Sequence, residues 1–298
     1  MRVFPSAILP AGALACALAL GGCTSPQSTG AGSPDGAAEA PGALKPVSLP
    51  DLSKATESVQ QQIRDRYSGL QAAIAKGPPP GELATAYGEM GKLFMAAQIE
   101  GAAESCFLNA QTLNPGDFRW PYYLAQLYRT QGELPKSAAL LERVLLLQPD
   151  DVAALVWLGN MHLSLGQPEA AEPVFAKALS LQPGSLSARF GLGRVALARQ
   201  DYQRAVTYLE DVLTRDPEAA GAHYPLSMAY RALGRTEQAD LHLAQREEHE
   251  ILPADPLMVE LDELVESPQA YESRGIRALN REAWAEAAAS SPRSRRFA

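Results

Sequence analysis

Asp150 to Pro183 reads DDVAALVWLGNMHLSLGQPEAAEPVFAKALSLQP, two amphipathic runs on either side of a turn at Gly166-Gln167. Leu155, Leu158, Gly159 and His162 fall on one helical stripe, with Ala171, Phe175 and Ala178 on a second. Gly159 and Ala171 are small where two helices must cross closely, and Phe175 is the knob beside them. His162 sits at a packing position, which predicts a core role. Pro168 suits the first turn of the second helix, where its missing N–H costs nothing. Pro183 closes the unit.

Shifting this unit by 34 residues finds it again. Pro115, Pro149, Pro183 and Pro217 are evenly spaced at 34. The small residue of the second helix recurs as Ala103, Ser137, Ala171, Ala205 and Ala239. The close-contact residue of the first helix is Gly91, Ala125, Gly159, Gly193 and Ser227, with Phe94, Tyr128, His162, Ala196 and Tyr230 three residues later. Gly132, Gly166 and Gly234 mark turns. The pattern resembles the tetratricopeptide repeat, a helix-turn-helix of 34 residues. That resemblance implies an all-α, right-handed superhelical solenoid. It covers five units, 84–117, 118–151, 152–185, 186–219 and 220–253. The first-helix tryptophan of the family is replaced by Tyr87, Pro121, Leu155, Arg189 and His223. Composition agrees: the 298 residues are rich in Ala, Leu, Glu and Gln and poor in aromatics, which favours helix over sheet. A net charge of -8 argues against a protein that coats nucleic acid.

Residues 1–22 read as a leader. Arg2 supplies positive charge and Ala7 to Leu20 is almost wholly apolar, the length of a signal-peptide core and short for a bilayer span. Leu20-Gly21-Gly22-Cys23 resembles a bacterial lipobox, which implies that Cys23 is lipidated and becomes the mature N-terminus. An ordinary secretory signal is the alternative. Thr24 after the cysteine resembles outer-membrane sorting in Gram-negative lipoproteins, so the resemblance implies an exported protein facing the periplasm. Residues 23–50, rich in Ser, Gly, Pro and Ala, read as a disordered tether, with a mean reach of roughly 30 Å. Cys106 is then the one thiol left, and its neighbourhood predicts a small buried hydrophobe.

Residues 51–83 read as a capping helix at about 56–76, with Val59, Ile63, Tyr67, Leu70 and Ile74 on one face, followed by a break at Gly77-Pro78-Pro79-Pro80-Gly81. Beyond the repeats, the last helix is expected to continue through Glu250. Residues 254–298 read as a short helix over 256–266, a partial sixth repeat over 270–289 and a basic tail. That break in pattern is expected of a truncated or frame-shifted end of a longer repeat protein, the alternative being a basic tail that attracts anionic partners.

No catalytic constellation stands out. His162, His223, His242 and His249 form no H-E-x-x-H motif, and no cysteine pair, phosphate loop or nucleophile elbow is present. The sequence therefore predicts no enzyme, no cofactor and no metal. What remains is a surface. In tetratricopeptide solenoids the first helices line a concave groove. The resemblance places Lys92, Arg119, Tyr122, Gln126, Arg129, Val156, Asn160, Phe190, Arg194, Tyr224, Met228 and Arg231 there, with Leu163 and Leu197 expected to pack between repeats. Phe190, Arg194, Tyr224 and Arg231 are expected to form one patch. Gly88 and Lys92 stand where the family's carboxylate clamp has Lys and Asn, so that clamp is not carried over. The layout is similar to envelope lipoproteins that assist outer-membrane barrel or pilus-secretin assembly. It implies a membrane-anchored scaffold binding a protein or peptide, with no nucleic-acid partner. The rival reading is a structural subunit held through its helical ends.

Overall fold

The computed structural model describes residues 43–247 and 251–265. Among them every regular element is a helix. Helix α1 (Glu57–Lys76) precedes five helix pairs: α2 (Pro80–Ala96) with α3 (Glu100–Leu113), α4 (Arg119–Thr130) with α5 (Leu134–Leu147), α6 (Val152–Ser164) with α7 (Pro168–Leu181), α8 (Leu186–Ala198) with α9 (Tyr202–Arg215), and α10 (His223–Ala232) with α11 (Thr236–Ala244). A short 3-10 turn, Ala220–Ala222, leads into α10, and α12 (Pro256–Glu263) closes the described chain. Each pair packs as a hairpin and then against the next pair, so the core is carried along the array as successive hydrophobic clusters.

The period has a local cause. Asn114, Gln148, Gln182 and Asp216 each precede a proline and are held extended, at φ -138, -132, -131 and -142. The proline ring disfavours helical backbone in the residue before it, so the second helix of each of the first four units stops there. Within a unit the turn needs one left-handed residue. Gly132, Gly166 and Gly234 supply it at φ 76, 71 and 74. The first and fourth units use Gln98 and Gln200 instead, at φ 61 and 63, a conformation that costs a side chain about 1–2 kcal/mol.

Phe175 is the knob of the third unit, fully buried between α6 and α8. A Cβ on Gly159 would lie 2.6 Å from its ring and one on Gly191 2.3 Å from it. Both glycines are therefore small because one aromatic ring fills the space of their side chains. Ser137 holds the small position of the second unit, and its hydroxyl donates to the Ala125 carbonyl at 2.8 Å, which satisfies the buried oxygen. Cys106 is fully buried and burial pushes its thiol up to about 12, so it packs as a small hydrophobe.

Several expectations need correction. His162 is half-exposed and bonds Gln167 rather than filling the core. The break before the first repeat is only Gly77 to Pro79, because Pro80 fits the first turn of α2 and Gly81 lies inside it. Ile74 of the capping helix is exposed at 38%, while Val59, Ile63 and Leu70 are buried. The end of the expected tether is pinned: the buried Asn109 side chain accepts from Lys45 N at 2.7 Å and donates to Lys45 O at 2.9 Å, and Tyr67 donates to Val47 O at 3.0 Å. Helix α11 ends at Ala244 rather than continuing to Glu250, and α12 ends at Glu263. The leader, Cys23, His249, the partial sixth repeat and the basic tail lie outside the described residues.

Candidate protein-binding groove

The first helices α2, α4, α6, α8 and α10 carry the concave face, and the chain itself covers half of it. After α11, residues 251–265 return across the first helices toward α1. Ile251 and Leu252 lie beside Arg129, Trp157, Phe190 and Arg194. Asp255 caps α12 by accepting from Met258 N at 3.1 Å. Its other carboxylate oxygen accepts from Trp157 Nε1 at 2.9 Å and from the Tyr122 hydroxyl. One helical turn on, Glu260 meets Lys92 Nζ at 2.6 Å, and Tyr123 donates to Leu257 O at 3.3 Å. Leu264 O accepts from Gln62 of α1 at 2.8 Å. Leu261 and Val265 join the core formed by α1 to α4, and Leu257 and Met258 bridge it to the next.

This strap decides where the expected groove residues stand. Lys92 is buried, paired with Glu89 at 3.0 Å as well as Glu260, and lies 5.9 Å from the Tyr123 ring centre. Tyr122 is buried beneath Asp255; burial first, then the neighbouring carboxylate, holds its hydroxyl far above the ordinary tyrosine range. Gln126 is buried and accepts from Arg129 Nε at 2.9 Å, while the Arg129 guanidinium lies 4.4 Å over the Trp157 ring. Arg119 pairs with Asp117 at 2.6 Å and stacks over Trp120. Lys92, Tyr122 and Gln126 are therefore not open groove residues, whereas Arg129 lines a smaller cavity beside Ile251 and Leu252 and Arg119 keeps 39% of its side chain exposed. Val156 is fully buried against the Phe175 core, and Arg231 pairs with Asp240 of α11 at 2.9 Å. Val156 is therefore not a groove residue, and Arg231, with 61% of its side chain exposed, does not line the open cleft.

The other half is open. Phe190, Arg194, Tyr224 and Met228 line one cleft of ≈ 1090 Å³ together with Leu163, Leu197, Ala198, Gly221, Pro225, Arg246 and Glu247. Tyr224 is 51% exposed and Met228 45%. Arg194 donates to Asn160 Oδ1 at 3.1 Å and sits 5.7 Å from the Phe190 ring centre. The patch expected of Phe190, Arg194, Tyr224 and Arg231 therefore keeps three members, with Arg246 in place of Arg231. Leu163 and Leu197 face this cleft too, rather than serving packing alone.

Trp157, Asp255, Glu260 and Arg246 were not singled out in sequence. Trp157 falls one place off the groove register. The signal for the strap was available: Asp255-Pro256 followed by Leu, Met, Val, Glu and Leu is an N-capped apolar turn too short to stand by itself.

Behind the cleft, His223 and His242 bring their Nδ1 atoms to 2.9 Å, and Tyr230 stacks on His242 at 5.6 Å. Burial lowers the pKa of both histidines, and for His242 the neighbouring His223 lowers it further. No group of three or more His, Cys, Asp or Glu side chains able to hold a metal occurs among the described residues.

Two tetratricopeptide-repeat family models match residues 122–185 and 196–249. Among solved structures, a tetratricopeptide repeat protein from Parabacteroides merdae ATCC 43184 superposes at TM-score 0.54 with 18% identity, covering 79% of this chain and 91% of that one. YrrB, described as a TPR protein with an unusual peptide-binding site, gives 0.52 at 21% identity over 65% and 97%. MamA from Desulfovibrio magneticus RS-1 gives 0.52 at 17% over 62% and 97%. At these identities the likeness is one of fold. No curated protein matches the sequence.

Proposed function

We propose that this chain, a tetratricopeptide-repeat protein, is a scaffold that binds a protein or peptide segment in the open half of its concave face, and that a lipid on Cys23 holds it at a bacterial cell envelope. The observation that carries the binding reading is the cleft of ≈ 1090 Å³, where exposed Tyr224 and Met228 lie with Phe190, Leu163 and Leu197 beside Arg194 and Arg246. Tyrosine and arginine at the centre of an apolar concavity are the side chains that most often anchor an interface. Arginine offers paired N–H donors to a carboxylate, and the aromatics offer apolar area. An extended or helical segment with apolar and acidic residues suits these walls. YrrB is described with a peptide-binding site on the same fold, which supports the class of partner and not its identity. Anchoring is supported by Leu20-Gly21-Gly22-Cys23 at the end of an apolar run.

A photo-crosslinking residue in place of Tyr224 would capture the partner in intact cells. The purified partner is then titrated against Tyr224→Ala and Arg194→Ala. Each should weaken binding by roughly 1–2 kcal/mol with little change in melting. Unchanged affinity in both rules out the cleft as the binding surface.

A further inference from the structure

The strap, residues 251–265, makes contacts of a kind that a packing element does not need. Its Asp255 is buried, and that carboxylate accepts from Trp157 Nε1, the Tyr122 hydroxyl and the Met258 amide. Taking a carboxylate out of water is a poor way to gain stability, since its desolvation offsets most of what its partners return. It is an effective way to demand one chemistry at one place, because the donors are left unpaired by anything else. Lys92 repeats the device. It is 3% exposed and meets Glu89 of its own helix at 3.0 Å, and Glu260, whose side chain is 55% exposed, brings a second carboxylate from the strap at 2.6 Å.

The strap is also thin. Leu252 and Val259 are 52% and 40% exposed, so nothing among the described residues covers its outer face. Helix α12 is eight residues long. A helix of that length is not stable alone in water, so it forms against the groove, as a bound peptide does.

We infer that the covered half of the groove is a second binding site, specific for a short acidic amphipathic helix, and that residues 251–265 occupy it in cis. A partner would enter by presenting the same pattern: a carboxylate at the helix N-cap for Tyr122 and Trp157, a second carboxylate one turn on for Lys92, and two or three large aliphatic residues between and after them. Tethered by a few residues to α11, the strap has a local concentration on the order of millimolar. It therefore excludes weak acidic segments and yields to those that bind better. The inference concerns the covered half alone and stands or fails apart from the open cleft.

The probe is a fluorescein-labelled synthetic peptide of residues 251–265, followed by anisotropy. It is added to the full chain and to a full-chain variant with Asp255→Ala, Glu260→Ala and Leu261→Ala. The variant should bind the peptide at least tenfold more tightly than the wild type does, because its own strap no longer competes. Trp157→Phe in that background keeps an aromatic ring and removes the donor, and should weaken binding by about tenfold. A peptide carrying Asp255→Asn and Glu260→Gln should bind comparably less well. Equal affinity for wild type and variant overturns the inference, as does a variant that melts cooperatively yet binds no peptide. If the triple variant does not melt cooperatively, Asp255→Asn alone takes its place, since asparagine still caps the helix. It should bind the peptide at least threefold more tightly than wild type, and equality again overturns the inference.

Discussion

Three glycine-to-alanine substitutions test the repeat packing because their signs differ. Gly69 lies on the exposed side of α1, with nothing within 4 Å of an added Cβ. Gly69→Ala should stabilise by about 1 kcal/mol, the helix-propensity gain alone. Gly193 faces Leu209 in the next helix, with the added Cβ 2.8 Å from Leu209 Cδ2. Leu209 Cγ lies at 2.8 Å as well and the residue is fully buried, so rotation alone does not clear the contact and a repacking cost of about 1–2 kcal/mol meets or outweighs the gain. Gly191 faces the Phe175 ring at 2.3 Å. Carbon atoms rest at about 3.5–4.0 Å, so the ring or the helix must move by more than 1 Å. Phe175 is fully buried, its ring is rigid, and Gly159 closes its other side. The overpacking cost then reaches the upper end of about 1–3 kcal/mol, leaving Gly191→Ala about 2 kcal/mol less stable. Urea unfolding followed by circular dichroism reads the order as midpoints, which remain valid if the solenoid unfolds in more than one step. Gly191→Ala unfolding at or above the wild-type midpoint would refute the placement of Phe175 between the two glycines.

Further outcomes follow from particular residues. Gln200→Gly should raise stability by about 0.5 kcal/mol, because relief of left-handed strain exceeds the entropy glycine loses on folding; a lower midpoint contradicts the turn. The His223–His242 pair should make stability fall in acid. Both pKa values are depressed in the folded state, so the unfolded chain binds more protons, and the contribution is full above the unfolded value of about 6.5. It is lost as pH falls through the folded values. Glu210 and Glu247 oppose the depression and Tyr230 and Arg235 lie alongside. His242→Gln should flatten the midpoint-against-pH curve below about pH 6.5, and an unaltered slope counts against the pair. Cys23→Ser should move the protein to the soluble fraction and abolish acyl labelling; a variant still membrane-bound at normal processed size removes the lipid anchor from the reading.

The repeat was legible because its information is local. A proline every 34 residues, a small residue at each crossing and a left-handed residue at each turn act on their own neighbourhoods, and stacking follows from the hydrophobic faces they leave. Even the irregular turns keep the register: Gln98 and Gln200 accept a strained backbone where the other units have glycine. The misread positions share a different cause. His162 occupies an aromatic site of the repeat, yet its ring nitrogen meets Gln167 at 3.0 Å and the imidazole stays partly exposed, as a polar ring can where Phe94 of the first unit is buried. Arg231 has the spacing of a groove residue, but its exposed side chain pairs with Asp240 on the facing helix and does not line the open cleft.

The groove shows why repeat position alone does not define a binding surface. Position along a first helix says which side chains point inward, and Lys92, Tyr122 and Gln126 do. It says nothing about what lies on them. Tyr122 and Asp255 are 133 residues apart, and Lys92 and Glu260 are 168 apart, far beyond the reach of any 34-residue period. The protein is acidic overall, yet Glu260 of the strap sits on Lys92 of the groove and Arg194 and Arg246 line the open cleft. Net charge sums over surfaces that fold together and surfaces that do not. The concave face is therefore divided by the chain's own C-terminal segment into a half that specifies carboxylates through buried donors and a half that offers aromatic area beside arginine. A partner long enough to span both would have to displace the strap before its acidic residues could reach Trp157 and Lys92, whereas one confined to Tyr224 and Met228 would bind with the strap in place.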